Sequence, residues 1–229
     1  MDGTILCIET STDVCSAAVY KDGGVALYRL SESGSNHSQL LPRYIDELTK
    51  ECRDRGYAID AVAVSGGPGS YTGLRIGVST AKGLAYGLGV PLVAVPTLEI
   101  LCERVLQTET IPAGALLCPM MDARRMEVYT ALYDTALREV TGVHARVVEN
   151  GDWLPDREVL FFGNGAAKCR GVMESDKARA IDGIQTDARY MGRLAARYIN
   201  EGKTADTAYF EPFYLKEFVA APSHIKGLE

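Results

Sequence analysis

Between residues 61 and 97 an apolar run, a glycine-rich turn, a small-faced helical stretch and a second apolar run follow one another without a break. Few folds accommodate that order. Ala61-Val62-Ala63-Val64-Ser65 is apolar up to its last residue, as a strand is when both of its faces are covered. Gly66-Gly67-Pro68-Gly69-Ser70-Tyr71-Thr72 reads as a turn. Helical spacing runs from 73 to 88 and Gly89 stops it. Val90-Pro91-Leu92-Val93-Ala94-Val95 is another buried strand. Strand, turn, helix and strand make a βα unit, which needs a sheet with helices packed against it.

The flanking sequence extends this unit in both directions. Residues 4–9, 16–20 and 25–30 are short apolar runs. Thr10-Ser11-Thr12-Asp13 separates the first two, and Lys21-Asp22-Gly23-Gly24 separates the next two as a hairpin turn, because Asp-Gly and Gly-Gly tolerate positive φ. The opening is therefore a three-stranded antiparallel meander. A helix follows over 38–53, capped by Ser or Asn, with Pro42 in its first turn. The order to residue 97 is βββαβαβ. A second, more irregular cycle follows: a helix over 98–107, strands over 115–120, 127–133, 143–148 and 159–163, and a helix over 187–201. The expected architecture is α/β, with two tandem mixed-sheet βα domains over 1–97 and 98–216. An aromatic segment over 209–215 is expected to dock, and 217–229 to form a loose tail.

The chemistry-bearing groups are few. A glycine-rich turn between a buried strand and a helix aims backbone N–H groups at an anion, and the helix dipole adds positive potential. Gly67, Gly69 and Ser70, with Thr10 and Ser11 of the first turn, are the candidate phosphate-facing residues. The turn lacks the lysine of a P-loop, and Thr72 stands where a dinucleotide fingerprint has its third glycine. A tight turn that merely starts a helix is the equal alternative. Gly73, Gly77, Ala81 and Ala85 lie four apart and form one flat stripe. Two glycines there cost the helix roughly 1 kcal/mol each against alanine, so the stripe fits close contact with the chain's own sheet or with another chain. Leu40, Leu41, Tyr44, Ile45 and Leu48 make a broad apolar face, suited to a partner surface or to a deeply buried helix.

Catalytic constellations are thin. His37, His144 and His224 are the three histidines; none sits in a nucleophile elbow, and no HExxH or HxxxH spacing occurs. Glu9, Asp13 and Asp122 are carboxylates at turns, available to magnesium, though acidic side chains there are usually solvated or capping. The six cysteines are scattered without a CxxC pair and read as buried reduced thiols. A formal charge of -6, from 24 Lys+Arg against 30 Asp+Glu, makes a poor grip on nucleic acid, whose affinity comes mostly from phosphate neutralisation. No apolar run reaches membrane-spanning length. The opening Met1-Asp2-Gly3-Thr4 carries no basic stretch, so the expected location is cytoplasmic.

Four motifs, in order, carry a resemblance. Residues 5–11 (ILCIETS) with 15–19 (CSAAV), then His37-Ser38-Gln39-Leu40-Leu41-Pro42, then 67–77 (GPGSYTGLRIG) continuing through 81–85 (AKGLA), then 121–129 (MDARRMEVY) are similar to the TsaB (YeaZ) family. The resemblance is dense over 1–133. It implies an actin/Hsp70-like ATPase (ASKHA) fold and a role in making threonylcarbamoyladenosine beside the tRNA anticodon. It further implies a non-catalytic scaffold or activator subunit without catalytic or metal-binding residues. Such a subunit pairs with a TsaD-type catalytic subunit joined by a TsaE-type ATPase, and forms a homodimer when alone. ATP and metal are then expected on the partner subunits, and tRNA is met only indirectly. The interface residues expected on that basis are Leu40, Leu41, Tyr44, Ile45, Leu48, Gly73, Gly77 and Ala81. Thr97 and Leu101 stand where TsaD-type relatives carry a metal-binding histidine pair, and neither replaces an imidazole. Glu9 replaces the usual Asp of nucleotide-binding relatives. The rival reading is a small-molecule kinase or ATPase of the same fold acting alone.

Overall fold

The computed structural model describes residues 3–32, 36–150 and 154–215. Two five-stranded mixed sheets form the frame, ordered β3-β2-β1-β4-β5 and β10-β9-β6-β7-β8. In the first, β1 (Thr4–Glu9), β2 (Cys15–Lys21) and β3 (Gly24–Ser31) make the expected meander. Asp22 and Gly23 turn its second hairpin at φ of 51° and 85°, the left-handed pair that a two-residue hairpin loop requires. β4 (Ile59–Ser65) and β5 (Leu92–Val95) add in parallel beside β1.

Helices cover both faces of this sheet, which is why the middles of β1 and β4 are apolar. α1 (His37–Asp54) and α2 (Tyr71–Leu88) lie on one face. There Leu41, Tyr44, Ile45, Leu48, Val78 and Ala81 pack against Leu6, Ile8, Val62 and Val64. Burying a leucine as fully as Leu41 or Leu48 stabilises the fold by ~1.5–3 kcal/mol. Ser70 caps α2, its Oγ accepting from the Gly73 N–H, and Gly89 ends it at a left-handed φ of 67°. Pro42 lies in the second turn of α1, because the helix begins earlier than expected, at His37.

α3 (Thr97–Thr108) links the lobes. Its Ile100 joins the core behind the first sheet, while Leu98, Leu101, Cys102 and Val105 enter the core of the second. In the second sheet, β6 (Leu116–Asp122), β7 (Glu127–Thr130) and β8 (His144–Val147) run antiparallel, and β9 (Val159–Phe162) and β10 (Ala178–Ile181) extend β6 in parallel. α4 (Ala166–Met173) packs through Cys169 and Met173 on Cys118, Met120 and Phe161. α4 and β10 are absent from the expected elements; at eight and four residues they are too short to show a period.

The α/β class, with two mixed sheets in tandem lobes, is as expected. The expected boundary of the second domain needs correction. The helix expected over 187–201 is a 3₁₀ turn at Ala188–Tyr190 followed by α5 (Gly192–Asn200), and both pack on the first sheet. Ala188, Met191, Leu194 and Ala195 cover Ile5, Cys7, Ala18, Ala61 and Val93. The 98–216 stretch is therefore no self-contained unit: its last thirty or so residues complete the first lobe. Beyond α5 a strap returns across that lobe, with Ala205 bridging Leu92 and the Phe213 N–H donating to the Gly66 carbonyl at 2.7 Å. The docking expected for 209–215 is thus present. The tail expected over 217–229 lies outside the described residues. All six cysteines are buried and unpaired. Among the described residues no helix is long and apolar enough to cross a membrane.

Candidate functional site

The parallel strands β1, β4 and β5 end together, and the loops at their carboxyl ends form one cluster. Where a mixed sheet of this kind binds a ligand, it does so beyond these ends. The structure brings Thr10, Ser11, Gly67, Gly69 and Ser70 to this end, with some of their groups bonded to one another and to α2. The Ser70 N–H donates to the Ser11 carbonyl at 2.7 Å, and Thr10 Oγ1 donates to the Gly73 carbonyl at 2.7 Å. A side chain at Gly69 would put its first carbon 2.6 Å from the Ser11 carbonyl oxygen. One at Gly73 would strike the Thr10 carbonyl, and one at Gly77 the Thr10 hydroxyl. These glycines let the turn after β1 seat itself on the first two turns of α2. Of the polar side chains at this end, Ser11 Oγ, Thr97 Oγ1 and Glu9 Oε2 are buried without a hydrogen-bond partner among the described residues.

Glu9 lies beneath the same turn, fully buried. Its Oε1 accepts from the Ser11 N–H at 2.6 Å and from Ser65 Oγ at 3.2 Å. Burial pushes its carboxyl up to about 7, with the Asp187 charge adding to the rise and the Ser11 and Ser65 hydrogen bonds opposing it. Asp13 is exposed, and Asp122 sits in the second lobe, accepting from Lys168 and from the Arg124 N–H. The three acidic residues do not converge. Among the described residues no cluster of three or more His, Cys, Asp or Glu side chains could hold a metal. Thr97 and Leu101 are both buried, Leu101 in the core of the second lobe. His37 donates from Nε2 to the Val14 carbonyl at 3.2 Å, holding the turn between β1 and β2.

A second feature lies on the outside of the first lobe. The stripe Gly73, Gly77 and Ala81 faces inward, and Leu41, Tyr44, Ile45 and Leu48 are buried in the chain's own core. Leu40 is half-buried against that core. The residues expected at a partner interface thus serve packing within the chain, because the first sheet needs two helices to cover it. The opposite face of α2 is the one left bare. Gly83 and Gly87 stand about 200° around the helix from Ala81 and Ala85, and a carbon added at either would meet nothing within 4 Å. Beside them Tyr86 is 83% exposed and Leu88 48%. Lys82 Nζ donates to the Ala208 and Phe210 carbonyls at 3.1 and 3.0 Å. This lays the strap along α2 and brings Tyr209, 84% exposed, to the same side. The adjoining surface of α1 is polar: Ser38, Gln39, Arg43, Asp46 and Lys50 are exposed. The inward stripe drew attention because it holds two glycines and two alanines at one spacing. Gly83 and Gly87 have the same spacing, offset by two residues from Ala81 and Ala85, and that offset is the signal that separates the two faces.

The chain matches, over residues 21–220, the family described as TsaD, tRNA N6-adenosine threonylcarbamoyltransferase. It is 33% identical to the Bacillus subtilis tRNA threonylcarbamoyladenosine biosynthesis protein TsaB, over 93% of this chain and 94% of that one. With the Escherichia coli protein of the same name the identity is 29%, over 94% and 96%. Among solved structures, YeaZ from Pseudomonas aeruginosa is 26% identical and superposes with a TM-score of 0.77, covering 93% of this chain and all of that one.

Proposed function

The chain belongs to the TsaD-like family and, within it, to the TsaB proteins of tRNA threonylcarbamoyladenosine biosynthesis; from that premise we propose that it is a non-catalytic subunit which activates a TsaD-type transferase by pairing with it. The observation that carries this reading is the bare face of α2. Glycine inside a helix costs about 1 kcal/mol against alanine, and at Gly73 and Gly77 contact with Thr10 explains it. At Gly83 and Gly87 nothing inside the chain does. Exposed helical glycines flanked by Tyr86, Leu88 and Tyr209 suit a second helix crossing at backbone contact distance. The aromatic and leucine side chains would supply most of the buried area. The polar face of α1 then forms the rim.

On this reading ATP and metal are bound by the partner subunits, a TsaE-type ATPase joins the pair, and the homodimer formed by the chain alone uses the same face. The acidic chain meets tRNA only through that assembly, in a cytoplasmic setting. The missing P-loop lysine weighs against the rival reading, a kinase or ATPase acting alone.

The test is reconstitution. Threonylcarbamoyl transfer to tRNA by the TsaD-type subunit should rise severalfold or more when this chain is added. A Gly83→Arg, Gly87→Arg variant, which keeps the fold because both sites are open, should neither co-purify with the partner nor activate it. Equal transfer with and without the chain, or full activation by the variant, would discard the proposal.

A further inference from the structure

Where the two lobes and the strap meet there is a cavity of about 250 Å³. Its floor is the turn 66–68 at the end of β4. The second lobe contributes Tyr133 and Glu139, and the strap contributes Phe210, Glu211 and Phe213. It is separate from the bare face of α2 and from the α2 end of the glycine turn. Interfaces between structural units are where small-molecule sites concentrate, and this one joins three parts of the chain.

Its lining is chemically one-sided. Tyr133, Phe210 and Phe213 line it together with Glu139 and Glu211, and among the described residues no lysine, arginine or histidine does. Several acidic side chains elsewhere in the protein are engaged: Glu47 and Glu51 hold Arg29, Glu99 holds Arg197, and Asp187 holds Arg189. Among the described residues neither Glu139 nor Glu211 has an ion pair or a side-chain hydrogen bond. Ring faces carry negative quadrupole potential, so they attract what carboxylates attract, and the two act together on a cation seated between them. An anion would be repelled by both. The walls are also held in place. The Phe213 N–H bonds to the Gly66 carbonyl at 2.7 Å, Tyr214 packs on Tyr71 with ring centroids 4.9 Å apart, and Lys82 ties down the strap one turn earlier.

We propose that this cavity is a binding site for a small organic cation, an ammonium or guanidinium group carried on an apolar body. The volume lies just under the roughly 300 Å³ at which drug-sized sites begin, so the ligand is small. The apolar body lies against Phe210, Phe213 and the proline-bearing turn, and the charge sits toward Glu139 and Glu211. A bound ligand touches both lobes and the strap at once, and so ties the strap to the lobes.

The probe is 2-phenylethylammonium, titrated into the full chain and followed by calorimetry and by nuclear magnetic resonance. The neutral 2-phenylethanol and the anionic phenylacetate serve as shape-matched controls. The cation should bind with a dissociation constant of roughly 1 mM or lower, the alcohol about tenfold more weakly, and the anion not at all. A Glu139→Gln, Glu211→Gln variant should lose about tenfold in cation affinity with an unchanged melting temperature, since both carboxylates are exposed and unpaired. Binding of the alcohol as tight as that of the cation, an unaltered affinity in the double variant, or no saturable binding of the cation would each overturn the proposal. None of these outcomes depends on the transferase partnership.

Discussion

Glu9 holds its proton more tightly in the folded chain than an exposed glutamate does, because burial moves its carboxyl from an ordinary 4.5 to about 7. The folded state thus binds this proton more strongly than the unfolded state. The resulting stabilisation is fully present below pH 4.5 and is lost as pH rises through about 7. A shift of that size corresponds to a loss on the order of 3 kcal/mol. Glu9→Gln keeps the acceptor for Ser11 and Ser65 but cannot ionise. Urea denaturation at pH 5 and pH 8 should show the native chain losing stability relative to the Gln variant, and a gap between the two that ignores pH would remove the assignment. Residue identity also decides the glycines. Gly73→Ala drives a methyl into the Thr10 carbonyl and should cost about 1–3 kcal/mol, the range for overpacking. The offset of Gly83 and Gly87 from the inner stripe was legible in the sequence, but which pair would tolerate a side chain was not, because spacing does not say which face meets the sheet.

At the scale of elements, α2 has two working faces. Its inner stripe is fixed by the β1–β2 turn, and its outer face is open. Gly83→Ala and Gly87→Ala should therefore stabilise the isolated chain, by about 0.5–1 kcal/mol each. The same changes should weaken pairing with the transferase partner. Thermal melts and co-purification on the same variants read the two effects separately; stabilisation with undiminished pairing would place the interface elsewhere. α1 behaves differently. Its apolar stripe was readable from spacing, but whether it served a partner or the chain's own core was not. The sheet beneath settled that. Leu41→Glu buries a carboxylate among Leu6, Ile8 and Val64 and should unfold the first lobe, at a cost of 4 kcal/mol or about that. Loss of the far-ultraviolet circular dichroism signal distinguishes this from a folded chain that has merely lost its partner.

In the whole molecule, the first lobe is assembled from both ends of the chain. Strands β1 to β5 have an apolar rear face that residues 188–195 cover. A hydrogen bond between the Thr12 and Thr186 hydroxyls at 2.9 Å and one from the Ala188 N–H to Ser16 Oγ at 3.0 Å mark the junction. A chain ending at residue 186 should therefore lose cooperative unfolding, although every strand of both sheets is present. A sharp urea transition in that truncated chain would show that α5 is dispensable. The meander, the βα unit at 61–97 and the helices α1 to α3 were legible because their periods and turn residues are local properties of the chain. Family membership was legible too, since the four motifs lie in contiguous stretches. The short α4 and β10, the return of α5 to the first sheet, the packing of Thr10 and Ser11 on the start of α2 and the outward aim of Gly83 and Gly87 were decided only by the tertiary structure. Each depends on which distant segment lies against a given face, and spacing along the chain records the face but not its neighbour.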